Sequence, residues 1–202
     1  MIKIHKLALG LYQTNTYIIH DADSKTCCVI DPGYEAPAIL REVDHLGLSV
    51  EAILLTHGHF DHVGGVKKIA EKTGCQVFLH PDELSLPPFI TSGKLYYTDT
   101  YAEGDEITLA GMTFTVLHTP GHTPGAVCLH FGDHLFTGDT LFAGSCGRTD
   151  LRGGNYEQML QSLKRLALLE GDFHVLPGHD VASTLDRERQ TNYYMKEAMS
   201  QK

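Results

Sequence analysis

The chain has 202 residues, of which 42% are hydrophobic and 20% are charged, and this composition predicts a single globular domain over residues 1–202. The net charge of −9 opposes contact with phosphate backbones, so we expect no nucleic-acid partner. The sequence contains no apolar run of membrane-spanning length and no signal-peptide pattern, so we expect a cytoplasmic protein without a membrane partner. The five cysteines are odd in number and lack CxxC spacing, which favours reduced core thiols.

Strands and helices are predicted to alternate in the first part of the chain. The elements are β-structure over residues 1–31, a helix over 35–46, a strand over 51–56, a helix over 63–73 and a strand over 75–80. This succession favours a mixed or parallel sheet covered by helices, which is an α/β fold. Asp31 ends a strand at a Pro-Gly turn; we interpret it as a turn and capping residue, with contact to an active site as the alternative.

The strand over 51–56 runs directly into the cluster His57-x-His59-x-Asp61-His62. In an extended segment, residues two positions apart point the same way, so His57 and His59 can converge on one point. A turn into a helix would aim Asp61 and His62 into the same cleft. Side chains of these types at the mouth of a buried strand predict a metal site, with an inert histidine-rich loop as the alternative.

Residues 81–105 are broken by prolines and predict no long element. We interpret them as an irregular packed connection, with a substrate-side loop or lid as the alternative. A hairpin around Gly111 is expected next, over residues 107–117, although its turn is not an obvious primed pair.

Three later strand ends carry further donor side chains. His122 follows a Pro-Gly turn, Asp139 follows a short apolar strand, and His179 follows a second Pro-Gly turn. His118 lies close to the first of these turns. We interpret it as a structural residue or as a hydrogen-bonding partner of a ligand, and not as a ligand itself.

The donor side chains at these strand ends are His57, His59, Asp61, His62, His122, Asp139 and His179. Their number exceeds what one tetrahedral metal ion requires. It suits two adjacent cations, each with about three histidine or aspartate ligands, together with a shared carboxylate and a shared water. No cysteine belongs to the set, which argues against a closed structural zinc site.

Two helices are predicted in the C-terminal part of the chain, over residues 155–169 and 185–199. The charged run 186–189 is expected on a solvated face. The run 193–195, Tyr-Tyr-Met, can pack on the rest of the domain or on another subunit, so a homo-oligomer is possible.

The histidine-aspartate cluster, Pro-Gly-His122-Thr, Gly-Asp139-Thr and Pro-Gly-His179, in this order, resemble the metallo-β-lactamase superfamily. Within it, residues 31–33 and 141–150 are similar to glyoxalase II, the hydroxyacylglutathione hydrolases. The resemblance implies an αββα sandwich of two mixed sheets, with helices outside and metal ions at one edge.

The resemblance also implies a division of the donors between two metal ions. The first would be held by His57, His59 and His122, the second by Asp61, His62 and His179, and Asp139 would bridge them. Zinc is the favoured metal, with iron or manganese as alternatives. Asp61 would also orient a hydroxide, and Arg148 would contact a carboxylate of the thiol carrier, for which a guanidinium is well suited.

The implied function is hydrolysis of a small-molecule thioester such as hydroxyacylglutathione, by a hydroxide that bridges two metal ions. Two features differ from full-length glyoxalase II: the chain ends before that family's helical C-terminal region, and Asp180 follows His179. The second feature is similar to persulfide dioxygenases of the same superfamily, which use one iron. A mononuclear-iron dioxygenase and a non-catalytic metal-binding module are therefore the alternatives.

Overall fold

A computed structural model describes residues 1–201, and within this range the chain forms two six-stranded sheets, a two-stranded ribbon and seven α-helices. The two sheets pack face to face, and helices cover both outer faces. This arrangement confirms the predicted αββα sandwich of two mixed sheets.

The first sheet follows the chain order from one edge to the other. It contains β1 (Ile2–Leu9), β2 (Thr14–Asp21), β3 (Thr26–Ile30), β4 (Ser49–Leu54), β5 (Gln76–Leu79) and β6 (Asp99–Thr100). Neighbours among β1, β2 and β3 are antiparallel, whereas the pairs from β3 to β6 are parallel. Parallel pairing requires crossover connections, which here carry the helices of this half of the chain.

The second sheet is mostly antiparallel. It contains β7 (Glu106–Leu109), β8 (Met112–His118), β9 (Val127–Phe131), β10 (His134–Gly138), β13 (His174–Pro177) and β14 (Ser183–Thr184), while β11 (Leu141–Phe142) and β12 (Ser145–Cys146) form the separate ribbon. Only β10 and β13 pair in parallel in this sheet, among the described residues.

The hairpin of β7 and β8 turns at Ala110 and Gly111, which have φ angles of 49° and 76°. Positive φ at both central residues is typical of a primed turn. The sequence did not indicate this turn because alanine seldom adopts the left-handed conformation.

The helices are α1 (Ala36–His45), α2 (Phe60–Val63), α3 (Val66–Thr73), α4 (Pro88–Thr91), α5 (Tyr156–Ala167), α6 (Leu185–Thr191) and α7 (Tyr193–Ser200), and Pro81–Ser85 forms a 3₁₀ helix. Along residues 1–201, every helix is too short or too polar to cross a lipid bilayer. All five cysteines are free, and each except Cys146 is buried.

Three apolar layers hold the sandwich together. Phe114 and Phe136 lie in the central layer, between the sheets. Ile69 belongs to the layer that packs α1 and α3 on the first sheet. Leu163 and Met195 belong to the layer that packs α5 and α7 on the second sheet. Burial of a side chain of this size stabilises the fold by about 1.5–3 kcal/mol. The packed sheets therefore hold the ends of the edge loops in fixed positions.

Two predicted helices are interrupted in the structure. The helix expected over 63–73 breaks before Val66, because Gly65 N donates to the Pro32 carbonyl instead of to a helical partner. The helix expected over 185–199 breaks at Asn192, whose side chain caps α7. The prediction of a solvated charged run was wrong for Glu188, which is fully buried and accepts a hydrogen bond from Gly144 N.

Candidate metal centre

The loop after β4 and the short helix α2 carry four of the predicted donor side chains. His59 has extended backbone angles and is the N-cap of α2, and His62 N donates to its carbonyl at 2.9 Å. This tight turn brings Asp61 and His62 back toward His57, so both halves of the motif face the same space. The predicted turn from strand into helix is therefore present.

The other three donors come from the second sheet. The loop that carries His122 is closed by a hydrogen bond from Thr119 N to the Ala126 carbonyl, at 2.8 Å. Asp139 and His179 follow the parallel strands β10 and β13. Gly178 N donates to the carbonyl of the residue before Asp139 at 2.8 Å, which sets the two strand ends side by side.

The seven side chains form two groups of three and one residue between them. In each group the potential ligand atoms lie within 4.8 Å of one another. One group is His57, His59 and His122; the other is Asp61, His62 and His179.

Asp139 contacts both groups. Its Oδ2 lies 3.4 Å from Nε2 of His122 and 3.5 Å from Nε2 of His179. Its Oδ1 lies 3.3 Å from Nε2 of His62. Since a carboxylate has two oxygen atoms, one side chain at this position can serve two neighbouring cations.

The first group is chemically matched to a cation. The Nε2 atoms of His57, His59 and His122 are buried, and none finds a hydrogen-bond partner within residues 1–201. Burial lowers the pKa of His59 to about 3 and holds the pKa values of His57 and His122 below 6.5. Three neutral imidazoles with free lone pairs pointing together are the donors that divalent transition metals prefer.

The second group also favours a cation, because its two histidines lie beside carboxylates. Burial alone would lower the pKa of His62, but Asp139 and Asp31 raise it well above 6.5. For His179 the same burial effect is outweighed by hydrogen bonds to Asp139 and Asp61, which raise the pKa to about 10. The carboxylates therefore require compensating positive charge at this point, and a metal cation can replace the protons that supply it.

Asp31 fixes the orientation of two imidazoles. Its Oδ2 lies 2.9 Å from His62 Nδ1 and accepts from Thr56 Oγ1 at 2.6 Å, while Thr56 Oγ1 lies 3.1 Å from His57 Nδ1. Because Nδ1 of each ring is held by a hydrogen bond on the far side, Nε2 points into the cluster. Asp31 does stand where the chain turns after β3, with a φ angle of 49°, but its side chain is buried behind the site and contacts His62, which confirms the alternative of contact with the site.

Two more imidazoles are held by backbone carbonyl groups. His122 Nδ1 lies 2.7 Å from the carbonyl oxygen of Arg148, and His179 Nδ1 lies 3.1 Å from that of Tyr12. These partners could not be found from the sequence, because a backbone carbonyl carries no residue-specific signal.

His118 has a structural role. Its Nε2 lies 2.9 Å from the Pro124 carbonyl, and its ring stacks on that of His80 at 4.3 Å between centroids, with 7° between the planes. The neighbouring ring is also engaged by the backbone, since Asp82 N donates to His80 Nδ1 at 3.3 Å. Of the two predicted roles for His118, the structural one fits.

A cleft of about 710 Å³ opens onto the candidate metal-binding side chains. It is walled by six apolar or aromatic residues: Tyr12, Phe60, Phe89, Ile90, Phe142 and Leu151. Phe89 and Ile90 belong to the segment 81–105, which therefore supplies part of the wall of the site.

Arg148 and Arg152 also line this cleft. The Arg148 side chain is solvent-exposed and forms a paired contact with Asp150, from Nε to Oδ1 at 2.7 Å and from Nη2 to Oδ2 at 2.8 Å. The predicted substrate-binding residue thus faces the cleft with part of its donor capacity already used. Arg152 was not identified from the sequence.

The sequence matches a model of the Metallo-beta-lactamase superfamily over residues 9–179. It is 32% identical to the hydroxyacylglutathione hydrolase GloC of Haemophilus influenzae, over 96% of this chain and 98% of that protein.

Two solved structures are also similar. The BLEG-1 B3 metallo-beta-lactamase has a TM-score of 0.85 and 35% identity, over 96% of this chain and 99% of its own. TTHA1623, in a di-iron-bound form, has a TM-score of 0.81 and 37% identity, over 94% of this chain and 99% of its own. The sequence match, the shared fold and the cluster of histidine and aspartate side chains show that the chain belongs to the metallo-β-lactamase superfamily of metal-dependent hydrolases.

Proposed function

We propose that the protein hydrolyses thioesters such as hydroxyacylglutathione at a site that holds two divalent metal ions. The observation that carries the proposal is the position of Asp139, whose two carboxylate oxygens face both groups of donor side chains. The similarity to the hydroxyacylglutathione hydrolase GloC supports a thioester as the substrate.

In this proposal His57, His59 and His122 hold one metal ion, Asp61, His62 and His179 hold the other, and Asp139 lies between them. Zinc is the favoured metal because the donors are mainly imidazoles, and the similarity to the di-iron form of TTHA1623 keeps iron as an alternative. When bound, such ions lower the pKa of a water molecule and polarise the carbonyl group of the substrate.

Asp61 is the proposed catalytic carboxylate. Its Oδ2 accepts from Thr14 Oγ1 at 3.3 Å and lies 3.3 Å from His179 Nε2. Burial raises the pKa of Asp61, but the hydrogen bond with His179 and the charges of His62 and His179 together outweigh burial and lower the pKa overall. The ionised side chain can accept a hydrogen bond from the attacking water, so that its oxygen lone pair points at the carbonyl carbon. Hydrolysis then forms a C–O bond, breaks the C–S bond and releases a carboxylic acid and a thiol.

The cleft supplies the substrate contacts in this proposal. Its aromatic and apolar wall accepts the carbon chain of the thioester, and the guanidinium of Arg148 at the rim binds a carboxylate of the thiol carrier. A small-molecule substrate, the absence of a nucleic-acid partner and a cytoplasmic location remain parts of the proposal; the free cysteines support a reducing compartment.

Metal analysis combined with three assays tests the function. We expect about two metal ions per chain, hydrolysis of S-D-lactoylglutathione, no oxygen uptake with glutathione persulfide, and no turnover of a β-lactam. One iron per chain with oxygen uptake would replace the proposal by a persulfide dioxygenase. Preferred turnover of the lactam would replace it by a β-lactamase, and tight metal binding without any turnover by a binding module.

A further inference from the structure

Glu83 joins the two loops that carry the first group of histidines. It lies in the 3₁₀ helix Pro81–Ser85 and its side chain is fully buried. Oε2 accepts from Gly58 N at 2.5 Å, and Oε1 accepts from Gly125 N at 2.7 Å. One carboxylate thus holds a backbone amide of each loop.

The two amides belong to the metal-binding motifs themselves. Gly58 lies between His57 and His59, and Gly125 closes the loop of His122. Both positions require close approach: a Cβ atom on Gly58 would lie 2.9 Å from Glu83 Oε2, and one on Gly125 would lie 2.8 Å from Glu83 N. Glycine therefore occupies both positions whose backbone amides contact the Glu83 carboxylate.

Keeping this carboxylate in the interior is costly. Burial raises the pKa of Glu83 to about 7, although the Thr123 hydroxyl and the amides of Gly58 and Gly125 favour the ionised form. Buried carboxylates are rare unless they have donors that fix them, and an apolar side chain would fill the same space without the desolvation cost. The contacts of Glu83 with both loops give a reason for the position to be a glutamate.

We propose that Glu83 is a positioning residue, which sets the separation of His57 and His59 from His122 and thereby the metal affinity of that group. The proposal rests on the metal site of the proposed function and is independent of the thioester. Both amides need an acceptor, and only a carboxylate has two acceptor oxygens with no hydrogen directed at either donor.

The test is Glu83→Gln at pH 8, measured in two single-site backgrounds. In His179→Ala, which leaves the group of His57, His59 and His122, we expect E83Q to lower zinc affinity about tenfold or more. In His59→Ala, which leaves Asp61, His62 and His179, we expect E83Q to change zinc affinity less than about twofold, within the scatter of context effects. Competition with a chromophoric chelator measures both affinities without any assay of activity.

Glu188→Gln is the matched control, because Glu188 is also a fully buried glutamate that accepts a backbone hydrogen bond, from Gly144 N. We expect E188Q to lower stability without a selective loss of zinc affinity in either background. Equal losses in both backgrounds with E83Q, or no loss in either, would overturn the positioning role. If the wild-type protein binds two zinc ions in the same experiments, the proposed metal site stands even when this inference fails.

Gly125→Ala is the second variant, to be used if E83Q does not fold. Its added Cβ perturbs the same contact from the other side and leaves the glutamate in place. We expect the same selective loss of zinc affinity in the His179→Ala background, and an unselective loss would count against the proposal.

Discussion

Oδ2 of Asp31 lies 2.9 Å from Nδ1 of His62, and both side chains are almost completely buried. The backbone at Asp31 is left-handed, with φ of 49°, and this conformation turns the carboxylate from the end of β3 toward the imidazole. The contact fixes the ring so that Nε2 faces Asp139 and Asp61. Asp31 therefore orients an imidazole of the candidate metal site, which its position in α2 alone would leave free to rotate.

Replacing Asp31 by asparagine tests this relationship. Asparagine tolerates the left-handed backbone, but its amide group presents a donor to either Thr56 or His62, both of which need an acceptor. We expect zinc affinity at the group of Asp61, His62 and His179 to fall about 10–100-fold, measured by chelator competition in the His59→Ala background. Asp180→Asn is the control, since Asp180 also has a left-handed backbone, with φ of 63°. Unchanged zinc affinity in D31N would contradict the orienting role.

Asp139→Ala tests the proposed bridge. Without this carboxylate the two groups of donor side chains would have no anion between them, so two cations would repel each other at short range. We expect the variant to hold about one metal ion per chain where the wild-type protein holds two, and to lose more than about a hundredfold in turnover. Metal analysis and the thioester assay measure the two effects. Asp133→Ala, at an exposed aspartate before β10, is the control. A D139A variant with two metal ions and full turnover would refute the bridge.

The site residues that could be predicted are those whose position follows from their neighbours in the sequence. His57 and His59 could be placed because a strand alternates its side chains, and His122 and His179 because each follows a Pro-Gly turn. Glu83 had no such signal: in a segment broken by prolines it resembles a surface acid, and only tertiary contacts with two distant loops bury it.

The same distinction explains the helix predictions. Apolar spacing predicted α1 and α5, since it reflects the sheet on which each helix packs. It did not predict the break at Gly65, because the competing acceptor is the carbonyl of Pro32, on another part of the chain.

Arg148→Ala tests carboxylate recognition. The side chain is exposed and already paired with Asp150, so its contribution to binding should be modest. We expect KM for S-D-lactoylglutathione to rise about fivefold with little change in kcat, because a solvent-exposed ion pair contributes little binding free energy and contributes it equally in the ground and transition states. Asp150→Ala should lower KM, since it frees the guanidinium. Equal KM values in all three proteins would show that the carboxylate binds elsewhere, with Arg152 as the next residue to replace.

The pKa of Glu83 predicts a pH dependence of stability in the metal-free protein. Its ordinary value of 4.5 is raised to about 7 by burial. Because the pKa of Glu83 is higher in the folded chain than in the unfolded chain, protonation of Glu83 stabilises the folded state. This stabilisation is complete below pH 4.5, the pKa in the unfolded chain, and is lost as the pH rises through about 7, the pKa in the folded chain. The shift corresponds to about 3 kcal/mol.

Glu83→Gln removes this dependence, because the amide does not titrate. Between pH 4.5 and pH 8 we expect the free energy of unfolding of E83Q to rise relative to wild type by about 3 kcal/mol, measured by urea unfolding of metal-free protein. Glu103→Gln supplies the opposite sign. A hydrogen bond from Arg165 lowers the pKa of Glu103, so its contribution is present at high pH and is lost as the pH falls. E103Q should therefore become less stable relative to wild type as the pH rises. If both variants shifted in the same direction, the ionisation of Glu83 would not be the cause, and the buried carboxylate would carry no measurable cost.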